Sequence, residues 1–283
     1  MYTLIVENKY GQQYELTHNS KYEIVSIDGI DPPDSTINTT HNADFDGSTY
    51  NSSYMDNRSI TITLAINSPA EANRINLYQY FKSKFPVRLL YQNGVRDVYI
   101  DGYVQRFDVS YFEKKQVAQI TVMCPQPAFN GANANVQAFS TVNPLFTFPF
   151  SIPEEGMAFS EILLDVEKSI INYGDVETGV LIDIHAIDTV VTPKVYNVDT
   201  SEHIILDKTM VAGDRIQINT IKGQKSVMFY PYDGGSQNII GKFTQGSTWL
   251  QLIPGDNVFT IAATSGVDKM DVTFTMIDQY EGV

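Results

Sequence analysis

Along most of this chain the apolar positions recur every second residue, the spacing of half-buried strands. The pattern is cleanest at Ser59–Ile66, with Ile60, Ile62, Leu64 and Ile66 on one face and Thr61 and Thr63 on the other. Similar runs predict strands at Thr3–Glu7, Tyr14–Thr17, Tyr22–Ile30, Val87–Tyr91, Asp97–Phe107 and Gln116–Met123. One segment breaks the rhythm. Ser68-Pro69-Ala70-Glu71 offers Ser at the N-cap, Pro at the first helical position and Glu at the third, a capping box. A helix is predicted from there to about Phe85, with Ala70, Arg74, Leu77/Tyr78, Phe81 and Phe85 along one stripe, and Pro86 stops it. Asn93-Gly94 between two of the strands signals a tight hairpin.

Between the early strands lies a polar stretch, Asp31 to Asn57, with Pro32-Pro33 and Asp46-Gly47-Ser48. Its few apolar residues, Ile37, Phe45, Tyr50, Tyr54 and Met55, are spaced too widely to build a core. Loops of this length in compact domains are usually functional or disordered. Two readings stand: a flexible loop, or anchors laid on a neighbouring surface.

From Cys124 to Gly156 the pattern fails. Pro125, Pro127, Pro144, Pro149 and Pro153 interrupt regular structure, and Gly131-Ala132-Asn133-Ala134-Asn135 reads as a linker. Phe146, Phe148 and Phe150 read as a short aromatic strand. Domains are therefore expected at 1–130 and 157–283, joined by a Pro/Gly/aromatic linker at 131–156. Beyond it the periodicity of two returns, in strands predicted at Ile162–Glu167, Leu181–Ile187, Lys194–Asn197, His203–Leu206, Arg215–Asn219, Val227–Tyr230, Thr248–Leu252, Val258–Ala263 and Val272–Ile277. Turns such as Asp233-Gly234-Gly235 separate them, there is no helix signal, and short strands at this spacing argue for a β-sandwich or jelly roll.

Composition adds a contrast between the halves. Of 283 residues 43% are hydrophobic, and 17 Tyr and 15 Phe favour pleated, half-buried surfaces. Residues 1–130 hold 11 Lys/Arg against 14 Asp/Glu; residues 131–283 hold 8 against 19. The second half is thus poorly suited to coating nucleic acid, since phosphate affinity rests on Lys and Arg. The one cysteine, Cys124, excludes an intrachain disulfide. The opening Met1-Tyr2-Thr3-Leu4-Ile5-Val6-Glu7 lacks the basic region and long apolar run of a signal peptide, so synthesis in a cytoplasm is expected. No window reaches the ~18 apolar residues of a spanning helix, and no membrane partner is expected.

No catalytic constellation emerges. Asn42-Ala43-Asp44-Phe45-Asp46-Gly47 opens like a calcium loop, but Ser53 stands where the bidentate acid belongs. His18, His41, His185 and His203 lack metal-ligand spacing. Cys124 has no basic neighbour in sequence to activate it. Acid pairs such as Glu154/Glu155 and Asp165/Glu167 could serve a glycosidase, but 33 acids produce such pairs by chance. Trp249, with Tyr230 and Tyr232 across a Gly-rich turn, could stack on a sugar ring. Trp249-Leu250-Gln251-Leu252 also reads as one strand burying Trp or Leu. No cofactor, metal site or enzymatic role is expected.

The ordered set Ile30-Asp31-Pro32-Pro33, Asp46-Gly47-Ser48, Asn57-Arg58, Leu77-Tyr78-Gln79-Tyr80-Phe81, Arg96–Val104 and Cys124-Pro125 resembles the distal tail (Dit) proteins of long-tailed phages of Gram-positive bacteria. Phe148-Pro149-Phe150, Ile152-Pro153, Trp249–Leu252 and Tyr280-Glu281-Gly282 extend the resemblance over the whole chain. It implies a mostly β fold: an N-terminal β-sandwich with one α-helix, like tail-tube proteins, and a C-terminal β-sandwich like galectins or carbohydrate-binding modules. It also implies a structural ring of six copies at the virion tail tip. An arm from each copy, here 31–57 with Pro32, Pro33, Phe45, Tyr50, Tyr54 and Met55, would reach a neighbour. The ring would join the tail tube to tail-associated and receptor-binding proteins. The alternative is a carbohydrate-binding adhesion module; a cell-wall hydrolase is the third reading.

Overall fold

A computed structural model describes residues 2–41, 43–44, 46–144, 160–164 and 166–283. The expectations on Phe45, on Phe146, Phe148 and Phe150, on Ile152-Pro153, on Glu154/Glu155 and on Asp165 lie outside the described residues. The fold is mostly β, with one α-helix among the described residues. It divides into two units: residues 1–132 together with 279–283, and residues 133–278.

In the first unit the strands are β1 (Thr3–Asn8), β2 (Gln13–Glu15), β3 (Tyr22–Asp28), β4 (Ser35–His41), β5 (Ser48–Met55), β6 (Arg58–Ile66), β7 (Pro86–Gln92), β8 (Asp97–Val109), β9 (Val117–Cys124) and β10 (Phe129–Gly131). Helix α1 (Ala70–Tyr80) lies between β6 and β7. One antiparallel sheet runs β2-β1-β7-β8-β9-β6-β3. The alternation seen in sequence selects its inner face: Leu4 and Val6, Leu89, Val98 and Ile100, Ile60, Ile62 and Leu64, and Ile120 and Val122 are all buried. The sheet curls until its outer edges meet, Tyr14 of β2 lying edge-on to Tyr22 of β3 at 6.0 Å and stacked on Tyr80 of α1 at 4.6 Å. Tyr22 closes the seam by donating to Asn73 O of the helix at 2.8 Å. The 13-residue β8 can follow this curl because it carries a bulge between Val104 and Arg106. Gly102 helps as well, since a Cβ there would meet Val122 Cγ1 at 2.6 Å.

The helix is shorter than expected and starts differently. Pro69 is itself the N-cap and no side chain caps the first turn, so the capping box does not form. Glu71 turns to Arg74 and Gln116 instead, while Asn73 Nδ2 donates to Asn67 O at 2.9 Å. The helix ends at Tyr80, not Phe85, because Phe81 turns into the core and Lys84 takes a positive φ. Its buried positions are Asn73 and Leu77. Asn93 forms the expected turn, accepting from Val95 N and Arg96 N at 2.8 and 2.7 Å.

The second unit buries its core between two antiparallel sheets. One orders Asn135–Ala138, Met270–Met276, Leu181–Ala186, Arg215–Asn219, Ser226–Tyr230 and Gln237–Asn238. The other orders Glu167–Asn172, Gly255–Ser265, Val190–Asn197 and His203–Ile205, with Thr209–Met210 paired to Val190–Asn197. Phe274 of the first sheet meets Phe259 of the second at 5.1 Å and Phe139 at 5.2 Å.

The expected boundaries shift at both ends. Residues 131–156 are not simply a linker: Asn135–Ala138 is a strand and Phe139 is core, held by the aromatic trio. The last five residues leave the second unit, because Gln279–Tyr280 pairs with β10.

Candidate functional site

The stretch expected as a loop at 31–57 is mostly a hairpin. Among the described residues β4 and β5 pair only with each other, from Ser35↔Met55 to His41↔Ser48, with a register shift after Asn38. Thr, Ile and Tyr at alternating positions suit a strand, and the sparse hydrophobicity that suggested a loop reflects that neither face is buried. Every residue of β5 is exposed. By register, across the shift, Ile37, Tyr50 and Met55 share one face, where the Tyr50 hydroxyl meets Ser53 Oγ at 2.9 Å, and Tyr54 lies on the other; these four residues are 40–61% exposed. Polar side chains lace the pair, with Asn51 Nδ2 donating to Thr40 Oγ1 at 2.6 Å and Asn38 Nδ2 to Ser52 Oγ at 3.1 Å.

Below the hairpin sits a buried cation. Arg58 begins β6, directly after the hairpin, and is only 4% exposed. Its guanidinium donates to four backbone carbonyls: Pro127 O at 2.6 Å, Gly29 O and Asp31 O at 2.8 Å each, and Glu281 O. It also lies 4.7 Å over the Phe129 ring. Arginine suits this place because its planar fork offers five donors and stacks on aromatic faces. Burial lowers its pKa from the usual value, with Cys124, Glu281 and Asp31 opposing. Burial likewise pushes the Cys124 thiol up to about 12, the state of a packed, inert thiol.

The arm residues named from sequence are thus partly gathered. Tyr50, Tyr54 and Met55 lie on the hairpin, and Pro32 and Pro33 at its root. The sugar platform is not gathered. Trp249 is half-buried against the second unit's core, 5.0 Å from Phe243, with Lys225 Nζ 5.4 Å over its ring. Leu250 and Leu252 are the buried residues of that run. Tyr230 sits beside Arg215 in another strand, and Tyr232 is 71% exposed. Among the described residues no three His, Cys, Asp or Glu side chains are grouped to hold a metal ion, and no helix is long and apolar enough to cross a membrane.

Sequence reasoning missed Arg58 as a buried anchor and the return of the tail to it. The signal was an arginine at the edge of an otherwise Ile/Leu/Thr strand, with Tyr280-Glu281-Gly282 far downstream.

No curated protein sequence matches this chain. In fold it is similar to the crystal structure of SPP1 Dit, described as a paradigm of the hub adsorption apparatus in phages infecting Gram-positive bacteria. That match has 12% identity and a TM-score of 0.65, and covers 98% of this chain and 99% of that one. A chain of the phage P2 baseplate, in its activated conformation with Ca, matches at 13% identity and a TM-score of 0.52 over the full length of both. Identities this low speak for the fold alone. Two family models supply the rest: residues 9–124 match the phage tail protein RIFT-related domain, and residues 173–277 match the C-terminal domain of the siphovirus-type tail component. With one model in each unit, the chain belongs to the siphovirus distal tail proteins, structural components of the tail and not enzymes.

Proposed function

We propose that this chain closes with copies of itself into a ring, six in number, at the tip of the virion tail. In it the hairpin of β4 and β5 is the arm that lies on the neighbouring copy. The carrying observation is the hairpin itself: a two-stranded sheet exposed on both faces is marginal in water without something to pack on. Ile37, Tyr50, Tyr54 and Met55 are its anchors, with Pro32 and Pro33 setting where it departs. Copies related head to tail produce a closed ring when the rotation closes. The first unit is near neutral in net charge, with 11 Lys/Arg against 15 Asp/Glu, so copies packed side by side repel one another little. The ring would join the tail tube to tail-associated and receptor-binding proteins, after synthesis in the bacterial host's cytoplasm.

Light scattering behind a sizing column, over a concentration series, tests this. The expected result is a species near six times 31.7 kDa, or a climb toward it. Paired Tyr50→Ser and Tyr54→Ser substitutions should push the population back to the single chain. A monomer at every concentration would sink intrinsic ring closure.

A further inference from the structure

The last residues of the chain do more than add a strand. Gln279 and Tyr280 pair with Asn130 and Phe129. Beyond them Arg58 holds Glu281 O, Arg96 holds Gly282 O, and Val283 N donates to Ile30 O at 3.2 Å. Arg96 also lies 4.6 Å over the Tyr280 ring. Two arginines on different strands therefore receive one short segment. That segment lies against 30–32, the residues from which the hairpin departs. The packing leaves no slack: a Cβ on Gly282 would stand 2.8 Å from Pro32 Cδ and 3.0 Å from Pro32 N. Arg58 is the residue by which the chain returns from the hairpin, so its fork grips the outgoing chain at Gly29 and Asp31, Pro127 beyond β9, and the tail at once.

We propose that residues 280–283 are a latch that fixes the root of the β4–β5 hairpin, with Arg58 and Arg96 as its positioning residues. The buried guanidinium donates to carbonyls from three stretches of chain. Without Glu281 O one donor faces a site closed to water, which favours opening of the root around it. The hairpin's direction is thus set by a segment more than 220 residues later in the chain. This goes beyond ring closure, since the latch lies within the first unit and is measurable on a single copy.

Hydrogen exchange on the full chain, kept dilute enough to be monomeric, tests it with two variants. One lacks residues 280–283. The other is Gly282→Ala, which wedges a methyl group between tail and Pro32 and leaves both arginines in place. Both should exchange roughly tenfold or more faster at 29–34 and 55–57, as a local opening does. The central strands β6 and β9 and the whole second unit should keep their rates. Unchanged exchange at the root in both variants would overturn the latch. So would acceleration spread evenly through the first unit, which would make the tail a general staple of that fold.

Discussion

The two units differ in what they bury: the first holds a cation, Arg58, and the second amides, hydroxyls and one carboxylate. In the second, Asn197, Asn257 and Asp214 fasten nearby turns, while Asn172 and Thr178 reach Leu252 O and Ile277 O across the unit. Asn197 Oδ1 accepts from Asp199 N and Thr200 N, and Asn257 bridges Ile253 and Gly255. Asp214 accepts from Val211 N and Tyr232 N. Its two larger sheets close over an apolar core, with Ser140–Pro144 and Ser160–Leu164 paired to each other outside both. In the first unit Arg58 instead ties segments up to 223 residues apart, and a whole hairpin stands without cover. A unit that spends a buried cation on fixing the base of an exposed hairpin is built to present that hairpin. The charge follows the same division, for the second unit carries 8 Lys/Arg against 18 Asp/Glu and suits an exposed lobe.

The strongest way to break this comparison is Arg58→Ala. It removes the buried cation that serves four backbone carbonyls, and a loss of about 3–5 kcal/mol is expected in the first unit alone. Hydrogen exchange read separately over 1–132 and 133–278 checks it; equal losses in both would end the distinction. Phe274→Ala is the mirror experiment. Deleting the ring between Phe139 and Phe259 should cost the second unit about 3–5 kcal/mol, with the first unit's protection unchanged.

Asp214→Ala removes one acceptor serving two backbone N–H groups. A loss of about 1–3 kcal/mol should appear, concentrated around 211–215 and 230–232. A spread through the whole unit would show that the turn fasteners are not local.

Alkali sharpens the comparison further. Cys124 is raised from 9.0 to about 12, and burial also raises Tyr22 and Tyr99, all in the first unit. Such groups stay neutral in the folded unit where the unfolded chain has begun to ionise. Stability is therefore whole below about pH 9 and falls as pH rises toward 12. A fall on the order of 5 °C in the first unit's melting temperature is expected between pH 9 and 11. The second unit's shifted group, Asp278, is raised by burial from 3.8 and titrates in acid, so its unfolding should be less sensitive there.

The smallest effect on folding belongs to the hairpin. Tyr54→Ser should change the single chain's stability by less than about 0.5 kcal/mol, as an exposed position does, while lowering self-association. A large loss of fold stability would mean that the hairpin already packs on its own unit.

Much of this was legible in the sequence. The alternation at Ile60, Ile62 and Leu64 fixed which face of β6 is core, and the Asn93-Gly94 turn fell where expected, because both depend on neighbours within a few residues. The helix start was misplaced because Glu71 had alternatives in Arg74 and Gln116 that only folding brings near. The sugar platform dissolved for the same reason, as Phe243 and Lys225 reach Trp249 from outside its own strand. The hairpin looked like a loop because hydrophobic patterning reports burial, and a strand that buries nothing leaves no such pattern.

By itself, then, the sequence determined two β units of different charge and the strand faces, both consequences of local period and composition. Only the tertiary structure decided that Tyr14, Tyr22 and Tyr80 close the curled sheet, and that Phe139 is core and not linker. It alone brought Arg58 to the last residues of the chain, because a contact across 223 residues leaves no periodic trace, only an arginine where a strand begins.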